Sequence, residues 1–122
     1  MSDTEHLSHA IAAHGRWKTR LRQAVDTGKS DQTAATVRSD TLCEFGKWFH
    51  AVSPQERVTE RWKKIRDLHA EFHKEAARVL TLALAGQKAE AEAALALGSH
   101  FSKISADLTL ALVAWRDSIQ NR

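Results

Sequence analysis

The feature that most constrains this chain is an apolar seam between residues 58 and 83, whose members recur in alternating steps of four and three. The seam consists of Val58, Trp62, Ile65, His69, Phe72, Ala76, Val79 and Ala83. Such spacing keeps one apolar stripe on one side of a long α-helix and is typical of antiparallel bundles and coiled coils. Ser53-Pro54-Gln55-Glu56 is a helix start, with serine as the cap and proline in the first turn, and Gly86 is a helix stop. The pattern therefore predicts one long helix between Ser53 and Gly86 that packs against other helices.

Two further stretches show the same kind of helical stripe. The first contains Leu7, Ile11, His14, Trp17, Leu21 and Val25, and the last contains Leu97, Phe101, Ile104, Leu108, Ala111 and Trp115, widened by Leu112 and Ile119. Asp3 or Thr4 can cap the first helix and Gly28 can end it, whereas the last helix begins near Lys88. We therefore expect three long amphipathic helices.

A polar stretch and a short helix separate the first two long helices. Residues 29–40 are polar and lack a clear period, so they predict a connection with at most a short helix. A cap among residues 39–41 then opens a short helix that carries Cys43. Its apolar face consists of Leu42, Phe45 and Phe49. The predicted fold is all-α, an antiparallel four-helix bundle of three long helices and one short helix that carries the cysteine.

Length and composition indicate one compact unit. The chain has 122 residues, of which 43% are hydrophobic, so we expect a single domain over residues 1–122. No apolar run approaches the roughly 18 residues that a membrane span needs, which predicts no membrane insertion. The residues that follow Met1 do not resemble a charged and then apolar signal sequence, so we expect a cytoplasmic protein.

The basic charge of the chain does not predict a nucleic-acid partner. The net charge is +3, and residues 16–22 interleave basic side chains with Trp17. On a helix, Arg16 and Arg20 form one row and Lys18 and Arg22 form another, separate from the stripe that contains Trp17. This arrangement is typical of a solvated face beside a core stripe, so we expect no nucleic acid among the partners.

Four residues could together form a metal site. Cys43 is the only cysteine, and it lies between helical stretches that carry His14 on one side and His69 and His73 on the other. His69 and His73 are one helical turn apart, so both rings can reach one ion. Three imidazoles and one thiolate form a closed set of four ligands that suits Zn²⁺.

Each of these residues also has an ordinary structural interpretation. Cys43 could be a small buried hydrophobe or a reactive thiol, since a lone cysteine forms no internal disulfide. His14 could be a core histidine that is hydrogen-bonded to a neighbour, and two histidines in adjacent turns often occur by chance. Gly46 indicates either a close approach of another backbone or ring, or a helix end.

The spacing of the histidines and acids argues against several kinds of enzyme. A zincin places its base directly after the first histidine, whereas Glu71 is two residues after His69, about 200° around the helix. A zinc deaminase needs paired downstream cysteines, and a di-iron bundle needs glutamates three residues before its histidines. Arg66 and Ala70 occupy those positions here. No P-loop or glycine-rich dinucleotide motif occurs either, so we expect no catalytic activity.

The residues resemble the bacterial chemoreceptor zinc-binding domain family over nearly the whole chain. That family has a histidine followed three residues later by an aromatic residue, a cysteine motif with a glycine, and a histidine pair separated by three residues. The matching residues here are His14 with Trp17, then Cys43, Phe45, Gly46 and Trp48, then His69 and His73. The elements occur in the family's order, and together they are far more specific than any one alone.

The resemblance implies a helical bundle in which His14, Cys43, His69 and His73 bind Zn²⁺. A single ion would also explain two histidines on core stripes, which are costly to bury without partners. The surrounding residues would exclude water rather than bind the metal. These are Trp17, Phe45, Gly46 and Trp48. The other histidines considered, His6, His9, His50 and His100, are expected at the surface or at helix caps.

The resemblance also implies a regulatory role. Members are attached to chemotaxis receptors or to enzymes of cyclic-di-GMP signalling and are often dimeric, so this chain would be a stand-alone member or have its output on a partner chain. Zinc concentration or oxidation of Cys43 would be the input. The alternative is a structural zinc domain that serves as a dimerisation or adaptor module. We expect a homodimer, because Trp62 and Leu82 or Leu84 form apolar surface that one small bundle leaves uncovered.

Overall fold

A computed structural model describes residues 2–39 and 43–121, which form an all-α helical bundle with no strand in those ranges. The helices in these ranges are α1 (Asp3–Thr27), α2 (Ala34–Arg38), α3 (Glu44–His50), α4 (Pro54–Arg57), α5 (Glu60–Leu84), α6 (Lys88–Leu95) and α7 (His100–Gln120). The long helices α1, α5 and α7 pack against one another, α2 packs on α5, and α3 packs on α1. The predicted fold class is confirmed.

The contacts at the helix ends define the directions of the long helices. Arg61 at the start of α5 donates a hydrogen bond to the hydroxyl of Ser118 at the end of α7, over 3.3 Å. Arg116, also near the end of α7, donates to the hydroxyl of Ser8 near the start of α1, over 3.4 Å. Helix α7 therefore runs antiparallel to α1 and α5, as in an up-and-down bundle.

The N-cap of the first helix lies one residue before Asp3, the earlier of the two proposed caps. Ser2, rather than Asp3 or Thr4, is the N-cap, and its hydroxyl accepts a hydrogen bond from the amide of Glu5 over 3.1 Å. Gly28 ends α1 as predicted, with φ of 70°, a left-handed conformation that glycine adopts without a steric penalty.

The predicted long helix between Ser53 and Gly86 is wrong, because the structure divides it. Ser53 caps α4, and Thr59 then caps α5 by accepting a hydrogen bond from the amide of Trp62 over 3.1 Å. A second capping residue six positions after the first therefore starts a new helix. Val58 lies at this break and is 69% exposed, whereas the other residues of the predicted seam are buried.

The last predicted helix is also divided. Helix α6 ends at Leu95, and Ser99 caps α7 after Gly98, which has a left-handed φ of 83°. Leu97 is 85% exposed, so its assignment to the apolar stripe was wrong. Phe101, Leu108, Leu112 and Trp115 are buried, and Ile104, Ala111 and Ile119 pack against the core. The stripe thus belongs to α7 alone.

The described part of the connection between α1 and α3 is polar with one short helix, as predicted, and α3 begins later than predicted. Cys43 is the N-cap of α3 and is not part of the helix. The proposed caps Asp40 and Thr41, and the apolar Leu42, lie outside the described residues. Phe45 and Phe49 are both buried on α3.

Trp62 joins α3 to α5 rather than forming an uncovered surface. Its indole N–H donates a hydrogen bond to the carbonyl of Phe49 over 3.1 Å, and the two rings stack with centroids 4.5 Å apart. Trp62 is buried, Leu82 is partly buried and Leu84 is exposed. The prediction that Trp62 is available for self-association was therefore wrong.

No helix in the described part of the chain combines the length and the apolar character needed to cross a membrane.

Candidate metal centre

Helices α1 and α5 bring three histidine rings together in the core. His14 comes from the stripe of α1, and His69 and His73 come from successive turns of α5. The ring centroids are 4.5 Å apart for His69 and His73, 5.0 Å for His14 and His69, and 5.8 Å for His14 and His73. All three side chains are buried, and His69 has 0% exposure. The three imidazoles thus form one cluster enclosed by the bundle.

Cys43 adds a sulfur atom to this cluster from the start of α3. Its Sγ is 3.4 Å from Nε2 of His69 and accepts a hydrogen bond from the amide of Gly46 over 3.2 Å. The cap position explains this orientation, because an N-cap side chain turns back toward the first amides of its helix. The same local geometry therefore ends the connection, starts α3 and directs the sulfur toward the histidines.

The distances within the cluster fit the donor set of a four-coordinate zinc ion. The potential ligand atoms of His14, Cys43, His69 and His73 all lie within 4.8 Å of one another. Nε2 of His69 is 3.0 Å from Nε2 of His73 and 3.4 Å from the sulfur. Bond lengths of about 2.0–2.1 Å to nitrogen and 2.3 Å to sulfur give tetrahedral edges of roughly 3.3 Å and 3.6 Å. The four residues thus lie close to the required separations.

Hydrogen bonds to backbone carbonyls orient two of the rings. Nδ1 of His14 donates to the carbonyl of Ala10 over 2.8 Å, and Nδ1 of His73 donates to the carbonyl of Val37 over 2.8 Å. Because a carbonyl only accepts, each Nδ1 carries the hydrogen, which leaves Nε2 of a neutral ring with its lone pair. Such contacts to the far ring nitrogen are usual for histidines that bind metals.

Burial keeps the imidazoles of His14 and His69 in the neutral form that binds metal. The pKa of His14 is lowered from 6.5 to about 4, mainly by loss of solvent and to a lesser extent by the nearby His73, against a raising effect of the hydrogen bond to Ala10. Burial likewise lowers the pKa of His69 to about 2, with smaller contributions from His73, His14 and His50. In the metal-free protein both rings are therefore uncharged at neutral pH.

These pKa values predict that the metal-free protein loses stability in mild acid. Below pH 6.5, His14 and His69 become protonated in the unfolded chain. In the folded chain both rings stay neutral until the pH approaches their lowered pKa values of about 4 and about 2. The free energy of unfolding is therefore highest above pH 6.5, where both histidines are neutral in both states, and it decreases as the pH falls. Between pH 7.5 and 5 we expect a loss of about 2 kcal/mol for each histidine, measured by urea unfolding. His9→Gln, at an exposed site, should leave the loss unchanged, and a flat profile would contradict the prediction.

The residues predicted to surround the site divide into two groups. Phe45 and Gly46 are buried, and the Phe45 ring meets the edge of His69 with centroids 4.9 Å apart. Trp17 and Trp48 are partly exposed and line a cleft beside the cluster. Trp48 also stacks on His6, with centroids 4.9 Å apart. Phe45 and Gly46 therefore enclose the cluster, whereas the tryptophans border its open side.

Two neighbours of the cluster were not identified from the sequence. The carbonyl of Val37 orients His73, and a backbone acceptor has no residue signature. The ring of Phe72 meets His14 edge to face, with centroids 5.1 Å apart. Its position on the apolar seam predicted burial but not this contact. Helix α2 and the middle of α5 thus both shape the site.

The remaining histidines lie outside the cluster. His6 and His50 are partly buried, and His9 and His100 are exposed, although His100 bonds to Glu71 over 3.1 Å. That contact places Glu71 toward α7, away from the histidine cluster, as predicted from its position on the helix. The fold and the donor set together define a zinc-binding helical bundle.

The comparison with family models agrees with that class. The model of the chemoreceptor zinc-binding domain matches residues 14–80, more than half of the chain. The chain belongs to this family, which is a zinc-binding domain of signalling proteins, and its cofactor is Zn²⁺. Searches of curated proteins and of solved structures found no match.

Proposed function

We propose that His14, Cys43, His69 and His73 bind one Zn²⁺ ion and that this site is the sensor of a regulatory domain. The domain would act in bacterial chemotaxis or cyclic-di-GMP signalling and respond to zinc or to oxidants. The observation that carries the proposal is the convergence of four donor atoms, two of them on rings oriented by backbone carbonyls. Zinc bound there would hold the sulfur as a thiolate.

Helix α3 is the part of the fold that best suits a signalling output. It has seven residues, too few to be stable alone, and Cys43 is its N-cap. Besides the cysteine, its anchors include the buried rings of Phe45 and Phe49, the hydrogen bond from Trp62, and the ring of Trp48, which packs on His6 and Trp115. A change at the sulfur would therefore alter the position of α3 more readily than that of the long helices.

Residues 1–122 are proposed as one domain. The family match ends at residue 80, but α7 packs against both α1 and α5 and contributes Phe101, Leu108, Leu112 and Trp115 to the shared core. The rings of Phe72 and Phe101 lie 5.5 Å apart, directly behind the histidine cluster. The metal site and the C-terminal helix thus depend on the same packing.

Elemental analysis tests the metal site directly. We expect one zinc ion per chain after purification with zinc supplementation, because a mixed set of nitrogen and sulfur ligands favours zinc. Competition with a calibrated chelator would give the affinity. His9→Ala should retain the ion, since His9 is exposed and lies outside the cluster. Iron in place of zinc, or less than about half an equivalent of zinc, would contradict the proposal.

A purely structural zinc domain is the second candidate, and the burial of the cluster favours it. His14, His69 and His73 are all buried, as in closed sites that contribute folding energy. The two functions differ in the response to zinc removal. A sensor should show faster hydrogen exchange confined to α3, whereas a structural site should show faster exchange throughout the bundle.

We further propose that the chain forms a homodimer. Leu97 and Leu110 are large apolar side chains with 85% and 69% exposure, and self-association would cover them. The prediction is a dimeric mass by light scattering at micromolar concentration. Leu110→Glu should shift the mass toward the monomer, whereas Lys64→Glu, at an exposed site on α5, should not. A monomeric mass for the unmodified protein would contradict the proposal.

A further inference from the structure

A cleft of about 670 Å³ lies beside the histidine cluster, between α1 and α3. Its volume is in the range of roughly 300–1,000 Å³ that small-molecule sites occupy. His14, Cys43 and His73 contribute to its lining, so the cleft reaches the proposed metal centre. Cys43 is partly exposed, unlike the three histidines. The sulfur is therefore the proposed ligand that solutes in the cleft can approach most readily.

The charges at the mouth of the cleft are mainly positive. Arg16 and Arg20 come from α1 and Lys47 comes from α3, and all three are exposed. Among the lining residues that the structure describes, Glu44 is the acidic one. A cleft lined by one sign of charge, with low-dielectric walls, raises the local concentration of ions of the opposite sign. This arrangement favours the entry of anions over that of cations.

Two aromatic side chains also line the cleft. Trp17 and Trp48 are partly buried and both line the cleft. The guanidinium of Arg20 lies 5.2 Å from the ring centre of Trp17, so its charge is held against the wall. The cleft thus combines a cationic entrance with low-dielectric sides, which weaken the screening of the charges by water.

We propose that this cleft selects small anionic, sulfur-reactive solutes and directs them to Cys43. The inference deepens the proposed function, because it treats Cys43 as the reactive member of the sensor. It names the chemical class of the input: a small anion with an electrophilic atom that accepts an electron pair from sulfur. The charge selectivity itself depends on the cleft and can be measured whether or not Cys43 binds zinc.

Methanethiosulfonate reagents of different charge provide the probe. The thiolate of Cys43 attacks the sulfenyl sulfur of the reagent, a new S–S bond forms, and the S–S bond of the reagent breaks. The sulfinate leaves with the bonding electron pair. Sulfonatoethyl, trimethylammonioethyl and methyl forms supply anionic, cationic and neutral versions of the same reaction. The rates are measured by mass spectrometry on the full chain, zinc-loaded and after treatment with a chelator.

The expected readout is the ratio of the anionic rate to the cationic rate, divided by the same ratio for the chain unfolded in urea. We expect a normalised ratio of at least about tenfold at low ionic strength. The ratio should fall toward one at about 1 M salt, where the screening length is about 3 Å. A normalised ratio near one at low salt, or no reaction of the folded protein with any reagent, would overturn the proposal.

Charge reversal separates the cleft from the net charge of the protein. The double variant Arg16→Glu, Lys47→Glu should lower the normalised ratio several-fold, since both residues are at the mouth. The matched control is Lys88→Glu, Lys103→Glu, which changes the net charge equally at exposed sites on α6 and α7. Equal rates with the neutral reagent would show that Cys43 is equally accessible in both variants. An equal fall in the ratio in both variants would overturn the proposal.

The two proposals fail in different ways. Absence of zinc from the purified protein would reject the metal sensor but would leave the charge ratio measurable. A normalised charge ratio near one, in a protein that binds zinc through Cys43, would reject only the proposal that the cleft selects anions. The proposed zinc site would stand.

Discussion

Replacing His69 with alanine should lower the affinity for zinc by more than about 100-fold. Loss of a residue that only supports a metal ligand costs up to about 100-fold in affinity, so loss of a ligand itself should cost more. His69 is central to the cluster, since its Nε2 is 3.0 Å from Nε2 of His73 and 3.4 Å from the sulfur of Cys43. Loss of this ring would leave at most three of the four proposed ligands. Competition with a calibrated chelator measures the change in affinity.

The same substitution should also destabilise the metal-free fold. The side chain of His69 has 0% exposure, and its ring contacts Phe45 edge to face. Truncation of a large buried side chain to alanine typically costs about 2–5 kcal/mol because it leaves a cavity. Urea unfolding of the metal-free variant would measure this loss.

A second variant separates metal binding from packing. His69→Leu fills much of the ring's volume with an apolar side chain, so the metal-free protein should be more stable than His69→Ala while still failing to bind zinc tightly. His9→Ala is the surface control and should change neither property, because His9 is exposed and lies outside the cluster. Full zinc affinity in both His69 variants would refute its role as a ligand.

Oxidation of Cys43 should release zinc from the loaded protein. With limiting peroxide, the thiolate attacks one peroxide oxygen, the O–O bond breaks, hydroxide leaves, and the cysteine becomes a sulfenic acid. The site then loses the one anionic donor among the four proposed ligands, so the three imidazoles should hold zinc more weakly. A colorimetric chelator follows the release, and mass spectrometry follows the addition of oxygen to Cys43.

The release should be accompanied by a local structural change. Cys43 caps α3 and its sulfur accepts a hydrogen bond from the amide of Gly46, so oxidation alters the first turn of that helix as well. Hydrogen exchange should accelerate in residues 43–50 more than in α5. Cys43→Ala should bind zinc weakly from the start, remain helical and show no further effect of peroxide. Retention of zinc by protein in which Cys43 is oxidised would favour the structural domain instead.

The helical stripes and the proposed ligands were readable from the sequence because both depend on regular spacing. On α1, the steps from Leu7 to Val25 predict one buried face, and His14 lies on it as expected. On α5, His69 is on the seam and His73 is one turn later, so a single helix necessarily places them together. The chemical set of three histidines and one cysteine also predicted zinc before any three-dimensional information.

Tertiary structure decided the features that depend on competition between neighbouring groups. Two capping residues, Ser53 and Thr59, divide the predicted long helix, and periodicity alone does not show which cap starts it. The same limit concealed the break between Leu95 and Ser99. Cys43 likewise caps α3 instead of lying within it. Its sulfur accepts a hydrogen bond from the amide of Gly46, one of the first amides of α3, which have no partner within the helix.

Contacts between distant segments were likewise beyond the sequence. The carbonyl of Val37 that orients His73 is a backbone group 36 residues away, so no side-chain pattern marks it. The indole of Trp62, predicted as exposed apolar surface, is buried because the end of α3 supplies an acceptor at Phe49. Local periodicity therefore determined most of the residues that face the interior, with Val58 and Leu97 at helix breaks as exceptions. The packing of α2 and α3 on α5 determined which partners those residues meet.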